Sequence, residues 1–234
     1  MAISIDSVYQ QVLAIANKEQ RGYITPQEFN LFARKAQLDI FENTFHDYKM
    51  ALLKPASAIK IADDVDMLRE KISLFRVVGA SITGSTGIIS FGDKPIHWLE
   101  TVYDLDDNKV YEEVDTQSYI YIDSSPNSKI SAYTNRPIFY RKKIDTVVIK
   151  PSTNSSDLVC DYITKPVDPN WGYVVVQEKA LYNSNTSVNF ELHDSEEGSL
   201  VNKILELAGI SMKKPTLAEL ALRNEQLNET DKNN

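Results

Sequence analysis

This sequence of 234 residues has only one cysteine, so it cannot form an internal disulfide bond. The fold therefore has to be held by packing of its interior or by assembly with other chains. Cys160 lies in LVCDYI, an apolar run typical of a strand. We therefore expect Cys160 to be a buried and unreactive thiol.

Long apolar segments are also missing. No apolar run approaches the roughly 20 residues that a helix needs to span a bilayer. The N-terminus has no basic region followed by an apolar core, so Sec-type export is not expected. With 42% apolar residues, the composition is that of an ordinary globular domain, and the chain is long enough to bury a real core. We expect no membrane part.

Basic residues are in the minority. There are 25 lysines and arginines against 33 aspartates and glutamates, which gives a net charge of −8 and a pI near 5.0. Proteins that grip nucleic acid do so mainly through lysine and arginine contacts to phosphates. The charge therefore argues against a broad DNA-binding surface, but it is compatible with a surface along which DNA slides without sticking.

Motifs for catalysis or metal binding are absent as well. The three histidines, His46, His97 and His193, are far apart, and none stands in the spacing of zinc-binding helices. There is no G-x-S-x-G elbow, and the lone cysteine has no catalytic signature. The sequence therefore gives no catalytic, cofactor-binding or metal-binding residue, and we expect neither an enzyme nor a cofactor.

Two short motifs have an alternative chemical interpretation. GSTG at 84–87 has the glycines of a phosphate-binding loop, but such a loop leads into a helix, and the following IISFGDKP does not predict one. We therefore favour a β-loop. Asp194, Glu196 and Glu197 beside His193 could bind a metal, although the interpretation that we favour is the acidic first turn of a helix.

What the sequence does contain begins with two helical segments. In residues 3–18, apolar residues recur at helical spacing along one stripe. TPQE at 25–28 then predicts a helix start, with Thr25 as the N-cap and Glu28 completing a capping box. The helix that follows is apolar over so wide an arc that we expect a central helix with neighbours on several sides. The first stripe consists of Ile5, Val8, Val12 and Ile15.

From about residue 72 the periodicity changes from helical to alternating. Short runs separated by turn-forming residues predict an antiparallel sheet or small barrel and not βαβ units. WGYVVVQEKALYN at 171–183 is compatible with a strand or a helix, since its periodicity does not decide. The candidate strands are ISLFRVVGASI, IHWLETVYDL, KVYEEV, QSYIYI, PIFYRKKI, TVVIKP and LVCDYITKP.

The C-terminal part returns to helical spacing. In SVNFELHDSEEGSLVNKILELAGI, at 187–210, an acidic turn leads into an amphipathic helix over 195–208. We expect Asp194 or Ser195 to cap this helix and Gly209 to end it. Its apolar face is too large for a short hairpin to cover, so we expect it to pack against the N-terminal helices.

The predicted fold class is therefore α+β, a helical bundle formed by the N- and C-terminal helices with an inserted antiparallel β-sheet or barrel domain. The predicted parts are the N-terminal helical part of the bundle at 1–65, the β-rich insertion at 66–190, the C-terminal helices at 191–228 and a flexible tail at 229–234.

A basic segment with interleaved aromatic residues, NRPIFYRKK at 135–143, supplies candidate assembly contacts. Such a segment can contact nucleic acid or an acidic protein surface, and the net charge of −8 favours an acidic neighbouring subunit. Prolines around Trp171 predict an ordered excursion that the tryptophan anchors. The candidate contact residues are Arg136, Arg141, Lys142, Lys143, Trp98 and Trp171.

Three segments resemble a virion structural protein of tailed phages. They are KEQRGYITPQEFNLFARKAQLDIFENTF at 18–45, the stretch from TVVIKP through LVCDYITKPVDPNWGY, and SVNFELHDSEEGSLVNKILELAGI. They are similar to the ring-forming head-to-tail connector, or adaptor, of crAss-like and other short-tailed phages, a set that includes the tail tubular protein A type. The strongest parts of the likeness are the helix entry and the ELHDSEEG helix, which are assembly features.

The resemblance implies a homo-dodecameric ring that joins the portal protein to the tail and continues the DNA channel. The implied partners are the portal protein and neighbouring tail ring proteins, with transient, non-specific passage of genomic DNA and no membrane contact. The implied location is the virion, at the head–tail junction, after synthesis in the host cytoplasm. An acidic channel would repel DNA and limit sticking.

A carbohydrate- or receptor-binding tail module is the alternative hypothesis, because Trp98, Trp171 and the tyrosines could supply stacking platforms for sugars. A sugar-binding screen separates this hypothesis from a connector, for which no ligand is expected. A third and weaker hypothesis is a tail-associated hydrolase, which would require that turnover is lost on substitution of Asp194 or Glu196.

Overall fold

The computed structural model describes residues 3–18, 24–53, 59–83, 88–89, 95–105, 109–124, 137–143, 146–150 and 158–211. In these ranges the fold is α+β, as predicted. The helices are α1 (Ile5–Lys18), α2 (Pro26–Leu53), α3 (Ile59–Ser73), α4 (Thr116–Ser124) and α5 (Glu197–Ser211). None of these helices combines the length and the apolar character needed to cross a membrane.

The chain divides into two compact units. One consists of Met1–Leu74 and Pro166–Asn234, and we call it the helical unit; the other, Phe75–Lys165, we call the barrel unit. The β-rich insertion was predicted over 66–190, so both of its boundaries differ. Residues 66–73 belong to α3, and 166–190 lies in the helical unit, where Asn170 pairs with Val188.

In the helical unit, α5 contacts α1 and α2, and α2 also contacts α3. Ile5, Val8 and Val12 of the predicted α1 stripe are fully buried, but Ile15 is 42% exposed and Ala16 is buried in its place. A helix turns once every 3.6 residues, so the position four residues after Val12, Ala16, lies on the same buried side. The prediction for Ile15 was therefore wrong by one position.

The predicted capping box at the start of α2 is confirmed. The backbone N–H of Thr25 donates to Oε2 of Glu28 at 3.0 Å, and the backbone N–H of Glu28 donates to Oγ1 of Thr25 at 3.3 Å. The hydrogen bonds from the backbone and side chain of Thr25 stabilise the carboxylate and lower the pKa of Glu28. The central position of α2 is also confirmed by its buried residues, which are Pro26, Phe29, Ala33, Ala36, Gln37, Ile40, Phe41, Phe45 and Tyr48.

The start of α5 differs from the prediction. A 3-10 helix at Asp194–Glu196 precedes it, and the N-cap of that helix is His193, whose Nδ1 accepts from the backbone N–H of Ser195 at 3.3 Å. The N-cap is therefore the imidazole of His193 and not the predicted Asp194 or Ser195. Gly209 does not end α5, which continues to Ser211.

In the barrel unit, the described strands β1 to β7 form a closed barrel in the order β1-β2-β6-β5-β4-β3-β7, and β7 pairs with β1. Apolar side chains from its strands fill its interior, among them Leu99, Val102, Phe139 and Cys160. The strands are β1 (Arg76–Thr83), β2 (Ile88–Ile89), β3 (Ile96–Asp104), β4 (Lys109–Glu113), β5 (Ile138–Lys143), β6 (Thr146–Lys150) and β7 (Leu158–Thr164).

The barrel, one of the two predicted forms of the β region, is present, but one of its pairs is parallel, so the expectation of antiparallel strands without βαβ units was wrong at this pair. β4 and β5 run in the same direction, and the helix α4 lies in the connection between them. The run QSYIYI, predicted as a strand, is part of α4. The carboxylate of Asp115 accepts from the backbone N–H of Gln117 at 3.3 Å, and Tyr119 stacks on Tyr140 of β5 with 4.6 Å between ring centroids. These contacts favour a helix over the strand that the alternation predicted.

Three predicted features lie outside the described residues. They are the GSTG loop at 84–87, the part of the C-terminal helices beyond residue 211 and the tail at 229–234.

Cys160 is expected to be inert in the folded protein. It is fully buried, and burial together with the charge of Asp161 raises the pKa of its thiol to about 12. At pH 8 only about one thiol in 10⁴ is then ionised, and the thiolate is the reactive form. A chromogenic disulfide reagent should therefore label the folded protein at least ~100-fold more slowly than the protein in urea. Rapid labelling without denaturant would contradict this assignment.

Candidate assembly surface

The segment WGYVVVQEKALYN forms a hairpin in the helical unit. Its strands, β8 (Tyr173–Val176) and β9 (Lys179–Tyr182), pair antiparallel with each other, and no other described strand lies beside either of them. Gln177 and Glu178 at the turn have φ of 48° and 63°. Two successive left-handed residues are typical of a type I′ turn, whose twist suits a two-residue hairpin. The structure therefore decides between the strand and the helix that the sequence left open.

Apolar side chains are exposed on both faces of this hairpin. Cross-strand partners share a face, so Val174 and Leu181 lie on one side, while Val175 lies on the other. A two-stranded hairpin is marginally stable in water at best, and clustered exposed apolar residues mark interaction sites. The exposed fractions are 50% for Val174, 64% for Val175, 48% for Val176 and 52% for Leu181.

Trp171 fixes the base of the hairpin. Its ring centroid lies 4.2 Å from that of Tyr9 and 5.8 Å from those of Tyr173 and Tyr182, which are cross-strand partners. Its indole N–H donates to Oδ1 of Asp6 at 2.9 Å. The predicted role of Trp171 as an anchor is confirmed, but at 2% exposure it cannot be a surface contact, and that part of the prediction was wrong.

Close packing behind Trp171 holds the hairpin in one orientation. The backbone N–H of Trp171 donates to Oδ1 of Asn30 at 2.7 Å, which ties the segment to α2. A Cβ on Gly172 would lie 2.2 Å from Oγ1 of Thr186 and 2.9 Å from the carbonyl oxygen of Asn183. Only glycine fits there without movement of the neighbouring backbone.

Gly172→Ala should therefore lower the free energy of unfolding of the helical unit by about 1–3 kcal/mol, because the added methyl group overpacks the site. Urea unfolding followed by circular dichroism measures this loss. Gly198→Ala is the matched control, since a Cβ at this position in the first turn of α5 meets nothing within 4 Å. Equal free energies of unfolding of the two variants would contradict this prediction and show that the backbone at Thr186 can move to accommodate the methyl group without loss of stability.

The other predicted contact residues lie in the barrel unit. Nε of Arg141 is 2.7 Å from Oε1 of Glu113, and the Arg141 guanidinium also donates to the carbonyl of Leu99 at 2.9 Å, so its charge is compensated within the unit. Lys142 and Lys143, at the end of β5, are exposed.

Trp98 is half-buried in β3, and Arg136 lies outside the described residues. Of the predicted set, Trp171 therefore belongs to the helical unit, and Trp98, Arg141, Lys142 and Lys143 belong to the barrel unit.

A buried carboxylate fastens three strands of the barrel. Asp161 on β7 accepts from the backbone N–H of Gly79 at 3.0 Å, from the hydroxyl of Tyr103 at 3.1 Å and from the guanidinium of Arg76 at 3.4 Å. Burial, reinforced by this hydrogen bond and by the charge of Asp161, raises the pKa of the Tyr103 hydroxyl. Gly79 has φ of +71° where the pairing of β1 with β7 shifts, so its freedom shapes the bulge. Because its carboxylate accepts hydrogen bonds from three donors on β1 and β3, we assign Asp161 a structural role in holding these strands to β7.

The acidic cluster at the start of α5 is divided among different partners. Glu196 is buried and pairs with Lys71 of α3, while Glu197 accepts from the side-chain amide of Gln11 on α1 at 2.7 Å. Nε2 of His193 lies 3.9 Å from a carboxylate oxygen of Glu70. In the ranges that the structure describes, no group of three or more His, Cys, Asp or Glu side chains is arranged to hold a metal ion.

The hairpin was not predicted as a contact surface. The sequence feature that could have indicated it is the run of three consecutive valines next to a polar turn. In a strand, such a run places apolar side chains on both faces. Comparison of the chain with models of known protein families gives no match, and comparison with curated protein sequences gives none either.

Proposed function

We propose that this protein is a virion structural protein, a ring-forming head-to-tail connector that joins the portal protein to the tail and continues the DNA channel. The observation that carries the proposal is the exposed apolar hairpin β8–β9, which is anchored firmly through Trp171 and has no covering element among the described residues. A surface of this kind is typical of a subunit that completes itself in an assembly. The resemblance of the three sequence segments to phage connectors supplies the identity of that assembly.

The charge of the chain supports the same function. At a net charge of −8 per copy, a closed ring is strongly acidic overall, and a channel lined by that charge would repel phosphate groups and let DNA pass. The exposed Lys142 and Lys143 are then available for an acidic surface of a neighbouring ring or of the portal protein.

The sugar-binding alternative loses one of its platforms. Stacking on a sugar requires an accessible aromatic face, and the indole of Trp171 is enclosed by Tyr9, Tyr173 and Tyr182. The alternative then depends on Trp98, which is half-buried, and on exposed tyrosines such as Tyr121, and it stays second to the connector.

Native mass spectrometry and electron microscopy of the purified full-length chain test the proposal. We expect closed rings, homo-dodecameric as the resemblance implies, and no retention of duplex DNA at about 0.15 M salt, where non-specific binding by basic proteins is still measurable. A protein that stays monomeric up to high micromolar concentration, with no place in the virion, contradicts the proposal.

A further inference from the structure

We propose that the hairpins of neighbouring copies join edge to edge, β9 of one copy beside β8 of the next, so that the ring is closed by one continuous antiparallel sheet. The inference rests on the proposed ring and identifies the surface that closes it. The partner that it assigns to the hairpin is the hairpin of a second copy of this chain.

The backbone pattern of the hairpin shows which groups are free to make this contact. The backbone N–H of Asn183 donates to the carbonyl of Gly172 at 2.8 Å, so this pair is hydrogen-bonded. In an antiparallel pair, hydrogen-bonded and non-hydrogen-bonded pairs alternate. In the register Tyr173↔Tyr182 to Val176↔Lys179, the N–H and C=O groups that point away from the hairpin are therefore those of Tyr173 and Val175 on one edge and of Ala180 and Tyr182 on the other.

A second copy fits these edges because of symmetry. A ring requires a heterologous contact, in which each copy offers two different and complementary surfaces. The hairpin offers both, since β8 supplies one edge and β9, running in the opposite direction, supplies the other. Placing β9 beside the next β8 continues the antiparallel alternation without a break. The described strands of the barrel unit close on themselves and offer no comparable edge.

The side chains support the same arrangement. Adjacent strands of a sheet lie about 4.8 Å apart, so a neighbouring hairpin covers part of the exposed valines and of Leu181 on both faces. At the tip, Lys179 of one copy comes to the level of the turn of the next copy, which carries Glu178. The turn of each copy thus brings one positive and one negative side chain to the end of the junction, where opposite charges on neighbouring copies can attract.

Proline substitutions test the two edges separately. Proline removes one N–H and is tolerated at outward-facing positions of an edge strand. Val175→Pro blocks the β8 edge and Ala180→Pro blocks the β9 edge, while the hydrogen bonds inside the hairpin stay. Each variant alone should be monomeric, because every junction needs one edge of each kind. Val175→Thr and Ala180→Thr keep the N–H and should still form rings.

A mixture of the two proline variants gives the sharpest result. The free β8 edge of Ala180→Pro can pair with the free β9 edge of Val175→Pro, and no further junction can form. Native mass spectrometry of an equimolar mixture, with one variant labelled with ¹⁵N, should therefore show a mixed dimer and no larger species. Rings formed by both proline variants would overturn the edge pairing while leaving the ring proposal intact. If Ala180→Pro prevents assembly and Val175→Pro does not, β9 of one copy pairs with β9 of another by two-fold symmetry. That result would also overturn the pairing of β9 with β8.

Two further measurements keep the inference open to refutation. In a Trp98→Phe background, emission comes from Trp171, which packs on Tyr173 and Tyr182, and it reports whether a proline variant keeps the hairpin in place. If it does not, hydrogen exchange of the wild-type chain replaces the variants: the peptide covering 172–183 should exchange at least ~10-fold more slowly in rings than in dissociated chains. Unchanged exchange would refute the pairing. A wild-type chain that forms no ring refutes the proposed function itself.

Discussion

Ile204→Asp should abolish the folded state of the helical unit. Ile204 is fully buried on α5, which packs against α1 and α2. Loss of a buried isoleucine side chain costs about 2–5 kcal/mol, and a buried carboxylate without a partner costs several kcal/mol more. The sum is comparable with the whole stability of a domain, about 5–15 kcal/mol. Circular dichroism should show the loss of much of the helix signal. In a Trp98→Phe background, where Trp171 is the only tryptophan, its emission should shift to that of a solvated indole.

Leu207→Asp is the matched control on the same helix. Leu207 is half-buried, so an aspartate there can reach water, and we expect a loss of about 1–2 kcal/mol with the fold retained. The sequence alone places Ile204 and Leu207 on one apolar row and predicts that aspartate at either position unfolds the chain. The structure separates them, because Ile204 is fully buried and Leu207 is not. A folded Ile204→Asp monomer that fails to assemble would place this part of α5 at a subunit interface and contradict its assignment to the interior.

Features that depend on neighbouring residues in the sequence could be predicted. The capping box of Thr25 and Glu28 involves backbone and side-chain groups three residues apart, so the sequence contains nearly all of the information. The wide apolar arc of α2 likewise predicted burial on several sides. The same holds for Cys160, since most of the residues around it in LVCDYI are apolar and every residue of β7 is buried.

Features that depend on distant partners could not be predicted. QSYIYI alternates like a strand, yet it forms α4 because Asp115 caps it and because β4 and β5 are parallel and need a crossover. The N-cap at His193 was not predicted, because imidazole is an unusual N-cap, whereas Asp194 and Ser195 beside it belong to residue types that are common N-caps.

The candidate assembly surface was predicted only in its anchor. Prolines around Trp171 indicated an ordered segment, and the structure attaches it to α1 through Asp6 and to α2 through Asn30. The exposed hairpin could not be deduced, because a run of valines is equally typical of a buried strand. Whether such a run is covered depends on contacts that the local sequence does not contain.

Trp171→Ala should have the second large effect, and it tests how the hairpin is held. The substitution leaves a cavity among Tyr9, Tyr173 and Tyr182 and removes the donor that Asp6 accepts from. Truncation of a buried tryptophan costs about 3–5 kcal/mol. Urea unfolding followed by circular dichroism should show this loss in the transition of the helical unit, and ring assembly should fail in the remaining folded protein.

Two variants separate the anchor from general destabilisation. Trp171→Phe keeps an aromatic ring against Tyr173 and Tyr182 but removes the N–H, so we expect a loss of about 1–2 kcal/mol with assembly retained. Trp98→Ala is the comparison for truncation of the other tryptophan. Trp98 is only half-buried in β3, so we expect a smaller loss of stability than for Trp171→Ala. If Trp171→Ala is as stable as wild type and still assembles, the hairpin is held by its own type I′ turn and strand pairing, and the indole is not its anchor.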